Sequence, residues 1–423
     1  MSPTVPVCTR FARRLIPKRV MAQAAVLFAC LWAGAVVDFS TRGVMDRAGN
    51  VKFQDFIQFY VGGTLARSGQ PASLYDGRTA FAMMHQIAPQ WQFALPMVYG
   101  PQVEAWFMPL SGFSFLTAAA IWVALSSVLY MACCYWVWKA CPNLTAYSSL
   151  FWVLALAYPA FFHFVVRGQI SALLLACFTA AFFAFRAHRP FLAGLALGSL
   201  VFKPQFLMAI PIVFLLSRAW KPLIGTVIAS VGQLAVTWAW CGTSVMRQYV
   251  ATLSNLSRLV AATETTKAHA QMHSLRSFFS LLVPWPQVAL GLSLIASVAV
   301  IVLAARAWGV SAPPAVRFSA LVLAAVLVNP HLFVYDLLVL APVLILLADW
   351  ALGDLGLAES AKRDVLVCGI YSAYLLPLLG PLTLVTHFQF SVLALVWLQW
   401  ELWRAVSLQE LGRLSHVEQA ETR

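Results

Sequence analysis

The chain reads as an all-α polytopic membrane protein on three grounds: its composition, its long apolar runs and the placement of its basic residues. Hydrophobic residues make up 61% of its 423 residues and charged residues only 10%, against about 25% charged in a soluble domain. Mean hydropathy is +0.80. Most of its surface is therefore unsuited to water. The net charge of +13 does not point to nucleic acid, because Lys and Arg sit in short clusters between apolar runs and no soluble segment is large enough to form a groove. That pattern fits positive-inside loops, and it favours contact with anionic headgroups of membrane lipids.

Arg10, Arg13, Arg14, Lys18 and Arg19 make a basic N-terminus, residues 1–19, before an apolar run over 20–37. The run is long enough to span, so it reads as an uncleaved first helix, although Ala33-Gly34-Ala35 also fits a signal-peptidase site. Residues 38–97 form the longest polar stretch and are expected as a first extracytoplasmic loop. Within it Phe56, Phe59, Tyr60 and Leu65 recur at helical spacing, which predicts an amphipathic helix over 55–67 lying on the membrane. Gly69-Gln70-Pro71 stops it.

Further apolar segments follow at 102–111, 116–138, 147–166, 170–185, 191–201, 206–216, 223–240, 288–305, 315–328, 332–347, 365–379 and 388–403. Several fall short of the ~20 residues of a full span, so with 102–111 taken as re-entrant or interfacial about 12 transmembrane helices are expected. Interruptions at Lys203-Pro204 and Asn329-Pro330-His331 point to a site, since broken helices at membrane depth line enclosed or watery cavities. On this count Lys139, Arg186, Arg189, Arg218, Lys221, Arg306, Arg317, Lys362, Arg363 and Arg404 all fall on the cytoplasmic side. Residues 20–403 then form one membrane domain with a second outer loop over 241–286, and residues 404–423 form a cytoplasmic tail. Arg167 and Lys203 alone break the charge rule, at the outer ends of short turns. The eight cysteines show no C-x-x-C or His/Cys metal spacing and read as small hydrophobes. No metal site and no cofactor is expected.

Few residues are equipped for chemistry. Asp55 opens the aromatic stretch Asp55-Phe56-Ile57-Gln58-Phe59-Tyr60, either as a carboxylate complementing a helix dipole or as a general base at the lipid–water boundary. Asp76 in Leu74-Tyr75-Asp76 reads as a turn residue or helix cap. Glu104, after the Tyr99-Gly100-Pro101 turn, either faces the same cavity or is a hydrogen-bonded membrane-edge carboxyl. Arg167-Gly168-Gln169 and Lys203-Pro204-Gln205 each place a cation at an outer end, to snorkel or to hold a phosphate. His331 and Tyr335 share a helix face, with Asp336 one position round. Ionisable groups at this depth are expensive and usually functional, while Asp336 also reads as part of a satisfied buried network. His273-Ser274-Leu275-Arg276 offers a further cation near the same surface.

These motifs resemble glycosyltransferase family 87, the polyprenyl-phosphate-mannose-dependent mannosyltransferases of GT-C architecture. Asp55 to Tyr60 resembles the family's D-F-x-x-Y-Y opening, with Phe59 in place of a Tyr. Tyr99-Gly100-Pro101 stands where the family has Y-P-P, and Gln271 to Ser277 matches its outer-loop N-Q-S-L pattern loosely. Arg167-Gly168-Gln169, Lys203-Pro204 and the stretch from Asn329 to Asp336 follow in the family's order, over roughly residues 53–345. The resemblance implies a GT-C-like bundle with short extracytoplasmic loop helices. It implies Asp55 as catalytic base and His331 near the reaction centre.

Tyr60, Tyr99, Glu104, Arg167, Gln169, Lys203, His273, Arg276 and Tyr335 are the expected substrate contacts. The expected partners are a polyprenyl-phosphate sugar donor, a glycolipid or glycan acceptor, and membrane lipids, with no nucleic acid. A transporter or lipid flippase would use the same broken helices but needs inverted repeats, and none is visible. A carrier-dependent ligase or polymerase would be expected to carry a larger outer loop.

Overall fold

Proline and glycine decide where the apolar runs stop. The computed structural model describes residues 7–12, 14–93, 95–263, 266–309, 312–353 and 360–421. Arg13 of the basic N-terminus and the last two residues of the tail lie outside the described residues. Every named element is helical, and the only extended pairings among the described residues are isolated bridges at Met45–Val51 and Met272–Phe333.

Six helices are long and apolar enough to cross a membrane among the described residues: Pro17–Asp38, Phe115–Lys139, Trp220–Asn255, Pro286–Gly309, Val334–Gly353 and Lys362–Thr386. A seventh candidate is the pair Pro142–Ala157 and Pro159–Arg167, bent by 44°. The 147–166 run, expected to be continuous, breaks at Tyr158-Pro159 because Pro159 begins a new helix and the residue before it is held extended, at φ −62° and ψ 121°. Four of the remaining expected crossings are shorter pieces, Ser171–Arg186, Pro190–Phe202, Pro204–Leu216 and Pro314–Leu327, and the fifth, 388–403, falls in the helix Phe390–Glu421. Both sequence-predicted interruptions are present. Lys203 separates two 3-10 turns, Ser199–Phe202 and Pro204–Leu207. Residues 328–333 separate Pro314–Leu327 from a 3-10 turn over Val334–Leu340.

Burial separates core from periphery. In its most apolar window Val334–Gly353 is 72% buried, whereas Pro17–Asp38 is 6% buried and faces outwards. The polar stretch over 38–97 differs from its expected form. Phe56–Arg67 is a helix, but Phe56, Ile57, Gln58, Phe59, Val61, Gly62, Gly63, Leu65 and Ala66 are all buried. It is a packed internal helix and not an amphipathic one on the membrane. The reason is the cover supplied by Pro101–Phe107 and the Phe115 end of Phe115–Lys139. Phe59 stacks on Phe107 with centroids 5.0 Å apart, and Phe56 meets Phe115 at 5.9 Å. Gly63 permits this contact, since a Cβ there would lie 2.7 Å from the Phe107 backbone. Asp76 caps Gly77–Ile87, accepting from the Arg78 amide at 3.2 Å and the Thr79 hydroxyl at 2.6 Å.

The 241–286 stretch begins as helix. Trp220–Thr263 continues past a break at Gly242, where φ 80° and ψ 170° suit only glycine. Beyond the break, Tyr249 lies 5.8 Å from the Tyr75 ring of the 38–97 stretch.

One close contact joins Pro190–Gly198 to Trp220–Thr263. Gly194 and Gly198 of Pro190–Gly198 lie against the carbonyls of Pro222 and Thr226, where an added Cβ would overlap backbone oxygen. Small residues four apart let two membrane helices approach in this way. Gly198→Val is expected to lower stability by at least the about 1–3 kcal/mol of an overpacked core, read as a fall in Tm in detergent, because backbone cannot rotate away. An unchanged Tm would mean that this contact does not hold the two helices together.

Candidate active site

Asp55 stands at the N-terminus of Phe56–Arg67, the positive end of its dipole, yet its side chain makes no cap. Its partners come from the Pro159–Arg167 helix and the turn after it. The Asp55 amide donates to the Arg167 carbonyl at 3.1 Å. Gln169 Nε2 donates to Asp55 Oδ2 at 2.9 Å. Gly168 makes this approach possible, being left-handed at φ 68° with space for a Cβ blocked by Phe56 Cβ at 2.8 Å. Gln169 is itself fixed: its carbonyl accepts from Trp122 Nε1 at 3.2 Å and its Oε1 accepts from the Tyr99 hydroxyl at 3.4 Å. Burial, reinforced by the charges of Asp336 and Asp55, pushes the Tyr99 phenol well above its ordinary value, so it remains a donor.

The other Asp55 oxygen, Oδ1, lies 3.7 Å from Arg167 Nη1, attractive but too long for a hydrogen bond. That guanidinium donates instead to Gln54 Oε1 at 2.8 Å. The Arg167 side chain is 32% exposed and the Asp55 side chain 12%. The result is a carboxylate with one oxygen tied and the other available, beside a cation that a ligand can reach.

Behind this pair lies a buried one. Lys203 Nζ is 2.5 Å from Asp336 Oδ1, and Ser171 Oγ donates to the same oxygen at 2.8 Å. The ammonium also lies over the rings of Tyr335 and Tyr99, at 5.4 and 5.9 Å. Asp336 is thus the satisfied network residue that the sequence allowed. Lys203 has its charge matched by this partner, which makes it a less available phosphate contact than Arg167.

The remaining expected site residues are spread more widely. His331 lies beside Phe333 at 4.9 Å, and Phe333 stacks on Tyr335 at 5.5 Å, so one aromatic ring separates His331 from the polar cluster. Tyr60 turns away and donates to the Phe113 carbonyl at 2.8 Å. Glu104 is 2% exposed and packs where a Cβ on Gly62 would overlap its Oε2. Seven residues of helix place Gly62 roughly 10 Å from Asp55. Burial pushes the Glu104 carboxyl well above the usual carboxylate range, and its Oε2 has no hydrogen-bond partner among the described residues. Arg276 is half-buried in the first turn of Leu275–Leu282.

His273 is 1% exposed, with Nδ1 2.7 Å from Ser391 Oγ and its amide donating to the Leu332 carbonyl at 2.8 Å. Burial first, and His163 second, push its pKa down to about 3. It is a neutral clamp between the 241–286 stretch and the 328–333 break, which leaves Arg276 as the cation of His273-Ser274-Leu275-Arg276. Gln54, Ser171 and Trp122 also belong to the network. They carry no signal in the sequence, because a polar or aromatic residue near a helix end is ordinary there.

The sequence model of Glycosyltransferase family 87 matches residues 97–340. That is more than half of the chain, and the protein belongs to this family. It is a membrane glycosyltransferase. The match contains Tyr99, Arg167, Gln169, Lys203, His331, Tyr335 and Asp336, whereas Asp55 precedes it and joins the site through the contacts above. No curated protein and no solved structure matches the chain.

Two outcomes follow from the buried groups. Lys203→Met or Asp336→Leu alone strands a buried charge and is expected to cost about 3–5 kcal/mol, while the double variant recovers most of that loss. Unfolding in detergent measures both, and equal losses in the single and double variants would mean the pair is not coupled. His273 remains neutral when folded but protonates near 6.5 when unfolded. The unfolded state therefore binds the extra proton as pH falls from 6.5 towards 3, and stability drops by up to about 1.4 kcal/mol per pH unit there. His273→Gln is expected to flatten that slope in a pH series of Tm values.

Proposed function

We propose that the protein moves a sugar, mannose or a similar hexose, from a polyprenyl-phosphate carrier to a hydroxyl of a lipid-linked or glycan acceptor. The reaction takes place on the extracytoplasmic face of a plasma or bacterial inner membrane, with both chain termini in the cytoplasm. The observation that carries this reading is the Asp55 carboxylate, held at 2.9 Å by Gln169 through one oxygen, with the other 3.7 Å from the accessible Arg167 guanidinium. Membership of the family supports the reaction type, and the clustering of Lys139, Arg186, Arg218 and Lys221 away from Asp55 supports the orientation.

In one displacement, Asp55 takes the acceptor O–H proton as the acceptor oxygen bonds to the anomeric carbon. The bond from that carbon to the phosphate oxygen breaks on the opposite side, and its electron pair leaves on the polyprenyl phosphate. The anomeric configuration therefore inverts. A tied carboxylate suits this role because its free oxygen is aimed without losing side-chain entropy at each turnover. Arg167 meets the charge that develops on the departing phosphate. Lys203, matched by Asp336, holds Tyr99 and Tyr335 as the wall of the sugar site, and His331 flanks that wall.

The test is transfer by the purified protein in lipid, with a panel of radiolabelled polyprenyl-phosphate sugars and mixed membrane acceptors. Asp55→Asn keeps the shape and the Gln169 contact but removes the base, so transfer is expected to fall by about 10²–10⁴-fold with donor binding retained. Full activity in Asp55→Asn removes Asp55 as the base. Absence of transfer by the wild type with every donor, together with carrier-lipid movement across the bilayer, favours a flippase instead.

A further inference from the structure

A second site lies at the end of the bundle opposite Asp55. Ser171, beside Asp336, begins a helix that ends at Arg186, and sixteen residues carry the chain about 24 Å. From there Pro190–Phe202 returns to Lys203, Pro204–Leu216 leads away again, and Pro314–Leu327 runs back towards the 328–333 break. At the far end, where these segments turn, is a cavity of about 590 Å³. Among the described residues its lining includes Arg218, Lys221, Arg317, His188, Trp220 and Trp308, and no carboxylate.

Six features distinguish it from a patch of solvated positive-inside charge. Three helices begin at the cavity, Pro190–Gly198, Trp220–Thr263 and Pro314–Leu327, so three positive dipole ends converge on it. Lys221 and Arg317 stand in the first turns of two of them, where a cation is disfavoured by the dipole unless an anion is also present. Arg317 is held with its guanidinium 5.7 Å from the Trp308 ring, and its Nε is buried with no acceptor among the described residues. Arg218 and His188 both adopt left-handed backbone, at φ 54° and 56°. Each follows a helix end, the position that glycine normally fills. Keeping cationic side chains there costs conformational energy that a glycine would relieve. Among the described residues, no carboxylate lies within ion-pair distance of Arg218, Lys221 or Arg317. Trp220, 53% exposed, stands at the rim as interfacial aromatics do.

We propose that this cavity binds the phosphate headgroup of an anionic membrane lipid, in the leaflet opposite the sugar-transfer site. The cations and helix ends hold the phosphate, Trp308 backs it, and the acyl chains run along the apolar helix faces. This site is independent of the reaction assigned to Asp55.

Arg218→Gly combined with Lys221→Ala tests the assignment without threatening the fold, because glycine relaxes the left-handed backbone at 218. Full-length protein is titrated in detergent with phosphatidylglycerol or with phosphatidylcholine of the same chains, and retained lipid is counted by native mass spectrometry. Wild type is expected to hold phosphatidylglycerol at least about tenfold more tightly than phosphatidylcholine. The double variant is expected to lose that preference while its Tm in detergent stays at or above the wild-type value. Equal binding of both lipids by wild type overturns the proposal, as does a preference that persists in the variant. A parallel arm adds inorganic phosphate in phosphatidylcholine. A stabilisation there that needs Arg218 and Lys221, without any lipid preference, makes the cavity a soluble-anion site and overturns the lipid assignment.

Discussion

Lys203 and Asp336 meet 2.5 Å apart at two chain breaks that lie far apart in sequence, and much of the site depends on that pairing. Neither charge is tolerable alone at this depth, so each break is held where the other can neutralise it. Ser171 joins a third segment to the same carboxylate oxygen. Tyr99 and Tyr335 flank the ammonium and bring in the turn before Pro101–Phe107 and the 3-10 turn that begins at Val334. The polar end of the bundle is thus organised by electrostatic necessity, around groups that lipid could not solvate.

That necessity also explains the short helices. A continuous span satisfies its own backbone and leaves no room for a polar site. Pro190–Phe202, Pro204–Leu216 and Pro314–Leu327 stop early, and the polar side chains at the two breaks, Lys203, Asn329 and Asp336, are buried in protein. The Asp55 carboxylate benefits from the same enclosure. Gln169 holds it, Trp122 and Tyr99 hold Gln169, and the Gly168 turn lets Phe56 approach closely enough to complete the contact. Arg167 remains the accessible cation because its partners are Gln54 and a carboxylate at 3.7 Å, not a tight ion pair.

The two ends of the bundle solve opposite problems with the same parts. At the Asp55 end, cations are balanced by carboxylates of the chain. At the far end, Arg218, Lys221 and Arg317 gather around three helix N-termini with no carboxylate among the described residues that line the cavity. An imbalance of that kind calls for an anion from outside the chain.

The sequence alone determined the all-helical membrane class, the two helix interruptions and the order of the polar motifs. Each follows from local chemistry: apolar content, proline placement and the cost of charge in lipid. The resemblance of the motifs to the family agrees with the match over residues 97–340. Only the tertiary structure decided which polar residues meet. Phe56–Arg67 has the spacing of an amphipathic surface helix, and its burial depends on cover from Pro101–Phe107, more than thirty residues away. Lys203 reads as a phosphate contact until Asp336 appears beside it, and His273 as part of a cationic stretch until its burial against Ser391 makes it neutral. Gln54, Ser171 and Trp122 gave no local signal at all. Spacing along a chain encodes which face of one helix a residue occupies, but charge pairing and desolvation depend on neighbours that long-range packing supplies.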